Sequence, residues 1–191
     1  MKVIGFTGNY GDVDQSAACY LMADSSILYS GRPFFVPDFA ARFVAAPSIV
    51  VRMGRLGKCV APKFAHRYWD AFTAGFNVQA CDDSDSRLVA LGRAFDGAAI
   101  VGDWLTAQDL DDPLREPVEF CVDDVPVGRA CLADMVMPLP DAVAAVSTRC
   151  SIKMGDMLFT GDVSPGLTLQ PGQHLTASIG GRRVLDVKVR L

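Results

Sequence analysis

Acids, thiols and imidazoles are the side chains of this sequence that could do chemistry, and their spacing narrows what that chemistry is. Asp12-x-Asp14, Asp83-x-Asp85 and Asp109-x-Asp111-Asp112 come nearest to runs of hard oxygen ligands. A calcium loop needs more oxygens and a glycine at a set place. None of the three has that arrangement, and each reads as a solvated turn or helix cap, where Asp is common. Cysteines stand at 19, 59, 81, 121, 131 and 150, with no Cys-x-x-Cys, and His66 and His174 are far from any cysteine pair. That pattern argues against zinc. The thiols are expected to be reduced and mostly buried. Gly54-Arg55-Leu56-Gly57-Lys58 has a Gly-Lys pair but lacks the first Gly and the Ser/Thr of a phosphate loop. Either histidine could pair with any serine, so spacing defines no Ser-His-Asp set. Taken alone, these residues identify no reaction.

The elements that must position them are mostly short strands. Lys2 to Phe6 reads as a strand ending at a turn over Gly8 to Gly11. Ser26 to Ser30, Phe34 to Pro37, Ile49 to Met53 and Met157 to Thr160 also read as strands. Val118 to Val122, Asp123-Asp124 and Val125 to Val127 read as a hairpin. The C-terminus is the clearest signal. Leu175, Ala177 and Ile179 alternate with polar residues, Gly180-Gly181 makes a two-residue turn, and Leu185, Val187, Val189 and Leu191 alternate again. Pro62 is expected to open a helix with Phe64, Tyr68 and Phe72 on one core-packing face. A second helix is expected to be capped by Ser84, with Leu88 and Leu91 inward and Gly97 closing it. A short helix is placed over Pro140 to Val146. The sum is a single α+β domain, predominantly β, spanning residues 1–191.

Half of the 191 residues are hydrophobic and the formal net charge is −4. No apolar run approaches the ~20 residues of a membrane span, and the N-terminal apolar stretch is too short for a secretion signal. These features predict a cytoplasmic protein with a large core, and a subunit interface to hide the excess apolar surface. No acid occurs between Asp38 and Asp70, while Arg42, Arg52, Arg55, Lys58, Lys63 and Arg67 do. Without an aromatic ladder this reads as a solvated face, not a nucleic-acid surface.

Four stretches in order resemble the fumarylacetoacetate hydrolase family, in its short single-domain bacterial form. They are Arg52 to Lys58 with Lys63 to Asp70; Gly75 to Asp82 with Arg93-Ala94-Phe95-Asp96-Gly97; Ala133-Asp134-Met135 leading to Asp141; and Gly155 to Gly161. Gly8-Asn9-Tyr10 and Pro33 to Phe39 fall where members of that form carry similar residues. The resemblance covers nearly the whole chain. It implies a mixed β-sandwich or roll with short strands and two or three helices. It also implies an enzyme of 2-oxo acids or 1,3-diketones that works through an enolate on magnesium or manganese. The family holds the ion with a Glu-x-Glu pair and an Asp, and the cation stabilises developing negative charge.

The sequence departs from that pattern at each ligand. Ala46 and Ser48 stand for Glu-x-Glu, and Asn77 stands for the acid. Cys81 replaces the arginine of Ala-Arg-Asp, with Asp82 kept. Ser84 stands for a glutamine, Arg93 for a lysine and Val13 for a histidine. After Thr160-Gly161 the usual Thr-Pro is Asp162-Val163. The resemblance therefore implies a vestigial pocket of Tyr10, Val13, Ala46, Ser48, Asn77, Cys81, Asp82, Ser84, Arg93, Thr160 and Gly161, with no catalytic residue, no metal and no cofactor. The function expected is a non-catalytic homologue that binds a small carboxylate or other anion, or joins a homodimer or mixed oligomer. It is expected to bind neither nucleic acid nor membrane. The alternative is an active hydrolase, decarboxylase or isomerase with a rebuilt, metal-free site using Arg93, Cys81 and Asp82.

Overall fold

The computed structural model describes residues 1–11, 18–83, 86–106 and 108–191. The strands are β1 (Val3–Phe6), β2 (Cys19–Met22), β3 (Ile27–Tyr29), β4 (Phe34–Phe35), β5 (Ala40–Met53), β6 (Trp69–Asp83), β7 (Ala99–Val101) and β8 (Leu105–Thr106). There follow β9 (Val118–Val122), β10 (Val125–Ala130), β11 (Met157–Phe159), β12 (Leu167–Thr168), β13 (His174–Ile179) and β14 (Arg182–Arg190). A mixed nine-stranded sheet runs β2-β1-β11-β5-β6-β7-β3, with β12 added to β5 and β8 to β6. A five-stranded sheet runs β10-β9-β13-β14-β4.

The backbone of the fold is the antiparallel ribbon β5–β6, paired from Ala40↔Asp83 to Met53↔Trp69. Side chains alternate across a strand, so each strand of this ribbon has two faces. Phe43, Ala45, Ile49 and Val51 of β5 share one face with Phe72, Ala74, Phe76 and Val78 of β6, and all lie in the main core. The five-stranded sheet closes that core with Phe120, Leu175, Ile179 and Val187, and Phe76 meets Phe120 edge-on at 5.7 Å. The opposite face turns toward a second, smaller core made by Val3, Val50, Val101, Met157 and Phe159, with Tyr20 and Trp104 against it.

The C-terminal hairpin forms as expected, with Gly180 and Gly181 at φ +57° and +75°, the conformation a two-residue primed turn demands. Asp123 and Asp124 take the same left-handed conformation, at φ +50° and +62°, in the β9–β10 turn. The Asp123 carboxylate accepts from His174 N–H at 2.8 Å and thereby anchors that turn to β13. Leu191 lies beyond the end of β14 and is exposed, so the inward alternation stops at Val189.

Two expected helices form only as short 3-10 helices. Residues Pro62–Arg67 form only a 3-10 turn, Phe64 is exposed, and Phe72 is buried inside β6. The four-residue aromatic spacing ran across a turn and into a strand. From Phe72 onward the period-2 pattern Phe72, Ala74, Phe76, Val78, Ala80 governs. Residues Ser86–Leu91 likewise form a 3-10 turn with Leu88 and Leu91 exposed, while Ser84 lies outside the described residues. Ala80 N–H there donates to Gly92 O at 2.8 Å, so pairing with β6 wins over a helix too short to bury its leucines. The third expected helix is real and longer. α1 (Leu139–Arg149) buries Leu139, Ala142, Val143 and Val146 at helical spacing. The described part of the chain thus has one α-helix, with 3-10 helices at the other two expected places.

The cysteines are free, but none is fully buried: Cys19 and Cys59 are exposed and the others half-buried. Of the basic stretch, Arg42 pairs with Asp82 at 3.2 Å and Arg52 with Asp70 at 2.9 Å. Among the described residues no helix is long and apolar enough to cross a membrane.

Candidate functional site

The polar site grows from the second face of the β5–β6 ribbon. Register places Ala46 opposite Asn77, Ser48 opposite Gly75 and Val44 opposite Gln79. Directly opposed residues of an antiparallel pair share a face, so Ala46, Ser48, Asn77 and Gln79 all look the same way. Asn77 and Ser48 are buried and Gln79 is exposed, which puts the mouth of the site at Gln79.

Asn77 is the hub. Its amide N–H donates to Asp162 Oδ1 at 2.7 Å and to Ala46 O at 3.3 Å. Its amide oxygen accepts from Arg93 Nη1, and Arg93 Nη2 donates to Gln79 Oε1 at 2.6 Å. The guanidinium therefore spans two acceptors two residues apart on β6. Its flat face lies over the ring of Tyr20, 4.4 Å from guanidinium carbon to ring centroid, a cation–π geometry. Tyr20 reaches this position from β2 by lying across β1. It stands opposite Gly5 in register, and a Cβ on Gly5 would fall 2.1 Å from Tyr20 Cζ. Only a glycine there leaves room for the ring.

Asp162 arrives from the end of β11, and a clamp holds it. Thr160 N–H and Oγ1 both donate to Ile49 O at 2.9 Å. Tyr10 hydroxyl then donates to Thr160 Oγ1 at 2.8 Å, and Asn9 Nδ2 donates to Thr160 O at 2.7 Å. Gly161 sits at φ +143°, where a Cβ would meet Asn9 Cβ at 2.7 Å. Burial pushes the Asp162 carboxyl above its ordinary range, although the Asn77 hydrogen bond and the Arg93 charge pull the other way. Burial also raises the Tyr20 phenol, against the pull of Arg93.

The structure brings Ala46, Asn77 and Arg93 together, with Ser48 beside them on the same face. Tyr10, Thr160 and Gly161 form the clamp. Cys81 and Asp82 are turned to other partners. The Cys81 thiol donates to Gln79 O at 3.8 Å, and Asp82, at φ +59°, pairs with Arg42. Val13 and Ser84 lie outside the described residues. Asp162, Gln79 and Tyr20 were not singled out as site residues from the sequence. The Asp162-Val163 departure after Thr160-Gly161 was a usable signal for the first. Nothing local marks Tyr20.

This donor set does not fit the family's cation. Magnesium and manganese want several hard oxygens, with carboxylates supplying the charge. Ala46 has no donor, Ser48 hydroxyl is spent on Ile49 O at 3.3 Å, and the Asn77 oxygen is covered by a guanidinium. Asp162 is the one carboxylate bonded to the hub. Among the described residues no group of three or more His, Cys, Asp or Glu is placed to hold a metal.

With fold and site in hand, the relationship is plain. The family model described as "Fumarylacetoacetate (FAA) hydrolase C-terminal" matches residues 8–190, and the chain belongs to the fumarylacetoacetate hydrolase family. No curated protein matches its sequence. Solved structures share the fold. A fumarylpyruvate hydrolase from Pseudomonas aeruginosa in complex with Mn2+ and pyruvate superposes with a TM-score of 0.88 at 18% identity, covering 100% of this chain and 90% of that one. A 5-carboxymethyl-2-hydroxymuconate delta-isomerase from Mycobacterium smegmatis gives 0.86 at 20%, covering 99% and 78%. A maleylpyruvate hydrolase from Sphingobium sp. SYK-6 gives 0.83 at 20%, covering 98% and 71%.

Proposed function

We propose that this chain is a family member that has exchanged the divalent cation for its own arginine, binds a small carboxylate, and does not carry out the family's hydrolysis, decarboxylation or isomerisation. The observation that supports this most is the hydrogen bond from Arg93 to the oxygen of Asn77, the residue standing where the family's metal-binding acid falls. A fixed positive charge takes over the cation's place in the local balance, and the carboxylates that would hold a metal are gone. A guanidinium is a natural partner for a carboxylate, and this one opens toward the mouth at Gln79. What it lacks is a Lewis acid to polarise a carbonyl.

The test is thermal stability and calorimetry with pyruvate, acetate and oxalate, each with and without magnesium or manganese, alongside turnover of oxaloacetate and acylpyruvates. Metal-independent stabilisation by a carboxylate with background turnover is expected. Metal-dependent turnover approaching about 1 s⁻¹, at the low end of ordinary enzymes, would overturn the reading.

Asp162 favours a second reading. A carboxylate held above its ordinary range beside a cation can move a proton, and a metal-free isomerase would use it so. Deuterium wash-in to the methyl group of pyruvate, followed by NMR, separates the two. Exchange that is lost in Asp162→Asn supports the enzyme, and exchange at the buffer rate removes it. Association into a homodimer or mixed oligomer belongs to the same proposal, supported by the exposed apolar side chains Leu21 and Phe35 on β2 and β4. Light scattering after size exclusion tests it, and a monomer would count against it.

A further inference from the structure

Tyr20 is held in an arrangement that is both tightly fitted and incomplete. Its ring covers the flat face of Arg93 at 4.4 Å. Its tip is lodged against β1, where a Gly5 Cβ would lie 2.4 Å from the hydroxyl oxygen. That hydroxyl is buried and has no hydrogen-bond partner, a state shared among the described residues only with Ser26 and Ser164. Buried polar groups are nearly always paired, and an exception calls for a reason. Asp162 and Arg93, the charged groups near enough to affect Tyr20, are themselves engaged with Asn77.

We infer that Tyr20 is the gate of the carboxylate site: its ring takes the stacking place over Arg93 that the flat body of a ligand would take while the ligand's carboxylate pairs with N–H groups in the guanidinium plane, and its unpaired hydroxyl keeps the closed state only marginally favoured. The cation–π contact and ring burial favour closure, whereas the stranded hydroxyl opposes it and regains water when the ring swings out. The ligand class follows. The vacated space is flat and bounded by a guanidinium face on one side and the Asp162 carboxylate on another. It suits a small planar monocarboxylate such as pyruvate or benzoate. A dicarboxylate of similar size meets Asp162 with its second charge.

The inference rests on the carboxylate reading, and the experiment separates the two. Pyruvate, benzoate and oxalate are titrated into the parent and the variants Tyr20→Phe, Tyr20→Ala and Gly5→Ala, with melting temperatures taken without ligand. Apparent affinity scales with the fraction of open protein. Tyr20→Phe keeps the plug and removes the stranded hydroxyl, so it melts above the parent and binds about tenfold more weakly, the scale set by a buried unpaired hydroxyl. Tyr20→Ala removes the plug and binds about tenfold more tightly. Gly5→Ala, which cannot keep the ring where it is, follows Tyr20→Ala and guards against a folding artefact of the large truncation. Monocarboxylates outrank oxalate throughout. Opposite shifts of the Phe and Ala variants support the gate. Binding by the parent that is unchanged or weaker in Tyr20→Ala and Gly5→Ala overturns the gate and leaves the carboxylate reading standing. Silence of parent and both opened variants toward all three anions removes the carboxylate reading and the gate with it.

Discussion

The two faces of the β5–β6 ribbon share one backbone and one register, yet they are held by different physics. The inward face is Phe43, Ala45, Ile49, Val51, Phe72, Phe76 and Val78, and it is wholly apolar. The other packs Val50 into the smaller apolar core and, further along, carries Ser48, Asn77 and Gln79 and draws in Arg93, Asp162 and Tyr20 from three further segments. Apolar burial is non-directional and tolerates approximate fit. Burial of polar groups is conditional, because each donor or acceptor must find a partner or impose a desolvation cost. The first face therefore supplies the larger apolar core, and the second concentrates the groups whose arrangement is specific. The incomplete pairing at Tyr20 falls beside the second face.

The contrast can be broken from either side. The largest effect belongs to the apolar face: Phe76→Ala should destabilise the protein by about 3–5 kcal/mol, the usual range for a buried phenylalanine. Denaturant unfolding measures it, and a loss below about 1 kcal/mol would mean that the two sheets do not meet there.

Next comes the building of a metal site on the polar face. Ala46→Glu, Ser48→Glu and Asn77→Asp in an Arg93→Ala background should create a magnesium response that the parent lacks. Its size should be about 2.7 kcal/mol at a hundredfold excess of ion over its dissociation constant. Leaving Arg93 in place should blunt that response, since the guanidinium would neutralise the new carboxylates. Melting temperature against magnesium concentration reads both variants, and an equal response with and without Arg93 would show that the arginine does not occupy the cation's ground.

Removing Arg93 alone, as Arg93→Met, should cost about 1–3 kcal/mol by stranding the Asn77 oxygen and should abolish stabilisation by pyruvate. A variant that keeps the pyruvate shift would place the anion elsewhere.

The subtlest change is at Asp162. Its folded pKa is raised, so the native state binds this proton more tightly than the unfolded chain, and stability falls as pH rises through the folded value. Asp162→Asn is free of that loss. The variant should melt above the parent at neutral pH, and the gap should close on acidification toward the ordinary carboxylate range near about 4. A gap that widens with acid would reverse the sign and show that Arg93 outweighs burial.

Much of the fold was legible along the chain because it rests on short-range rules. The Gly180-Gly181 hairpin, the Asp123-Asp124 turn and the strand after Gly155 each follow from local backbone preference plus alternation. The helix expected at Phe64, Tyr68 and Phe72 failed because a four-residue spacing is ambiguous when a turn separates its members. Only the partner strand β5 settles which period applies. The residue types at the site positions were also legible. Residue type alone shows that Ala46, Ser48 and Asn77 cannot supply three carboxylates, whatever surrounds them.

What surrounds them is set in three dimensions. Arg93 and Asn77 are separated by the 3-10 turn after β6, and Asp162 and Tyr20 come from β11's end and from β2, on the far side of β5 in the sheet. No local preference of Tyr20 points to Arg93. The contact exists because β1 carries Gly5 opposite it and lets the ring lie across the strand. Side-chain identity sets what can bind a cation, so the residue types at 46, 48 and 77 could be read for that purpose along the chain. Their partners Arg93, Asp162 and Tyr20 come together through the fold alone. Charge compensation and hydrogen-bond pairing act through space between residues that the order of the chain keeps apart.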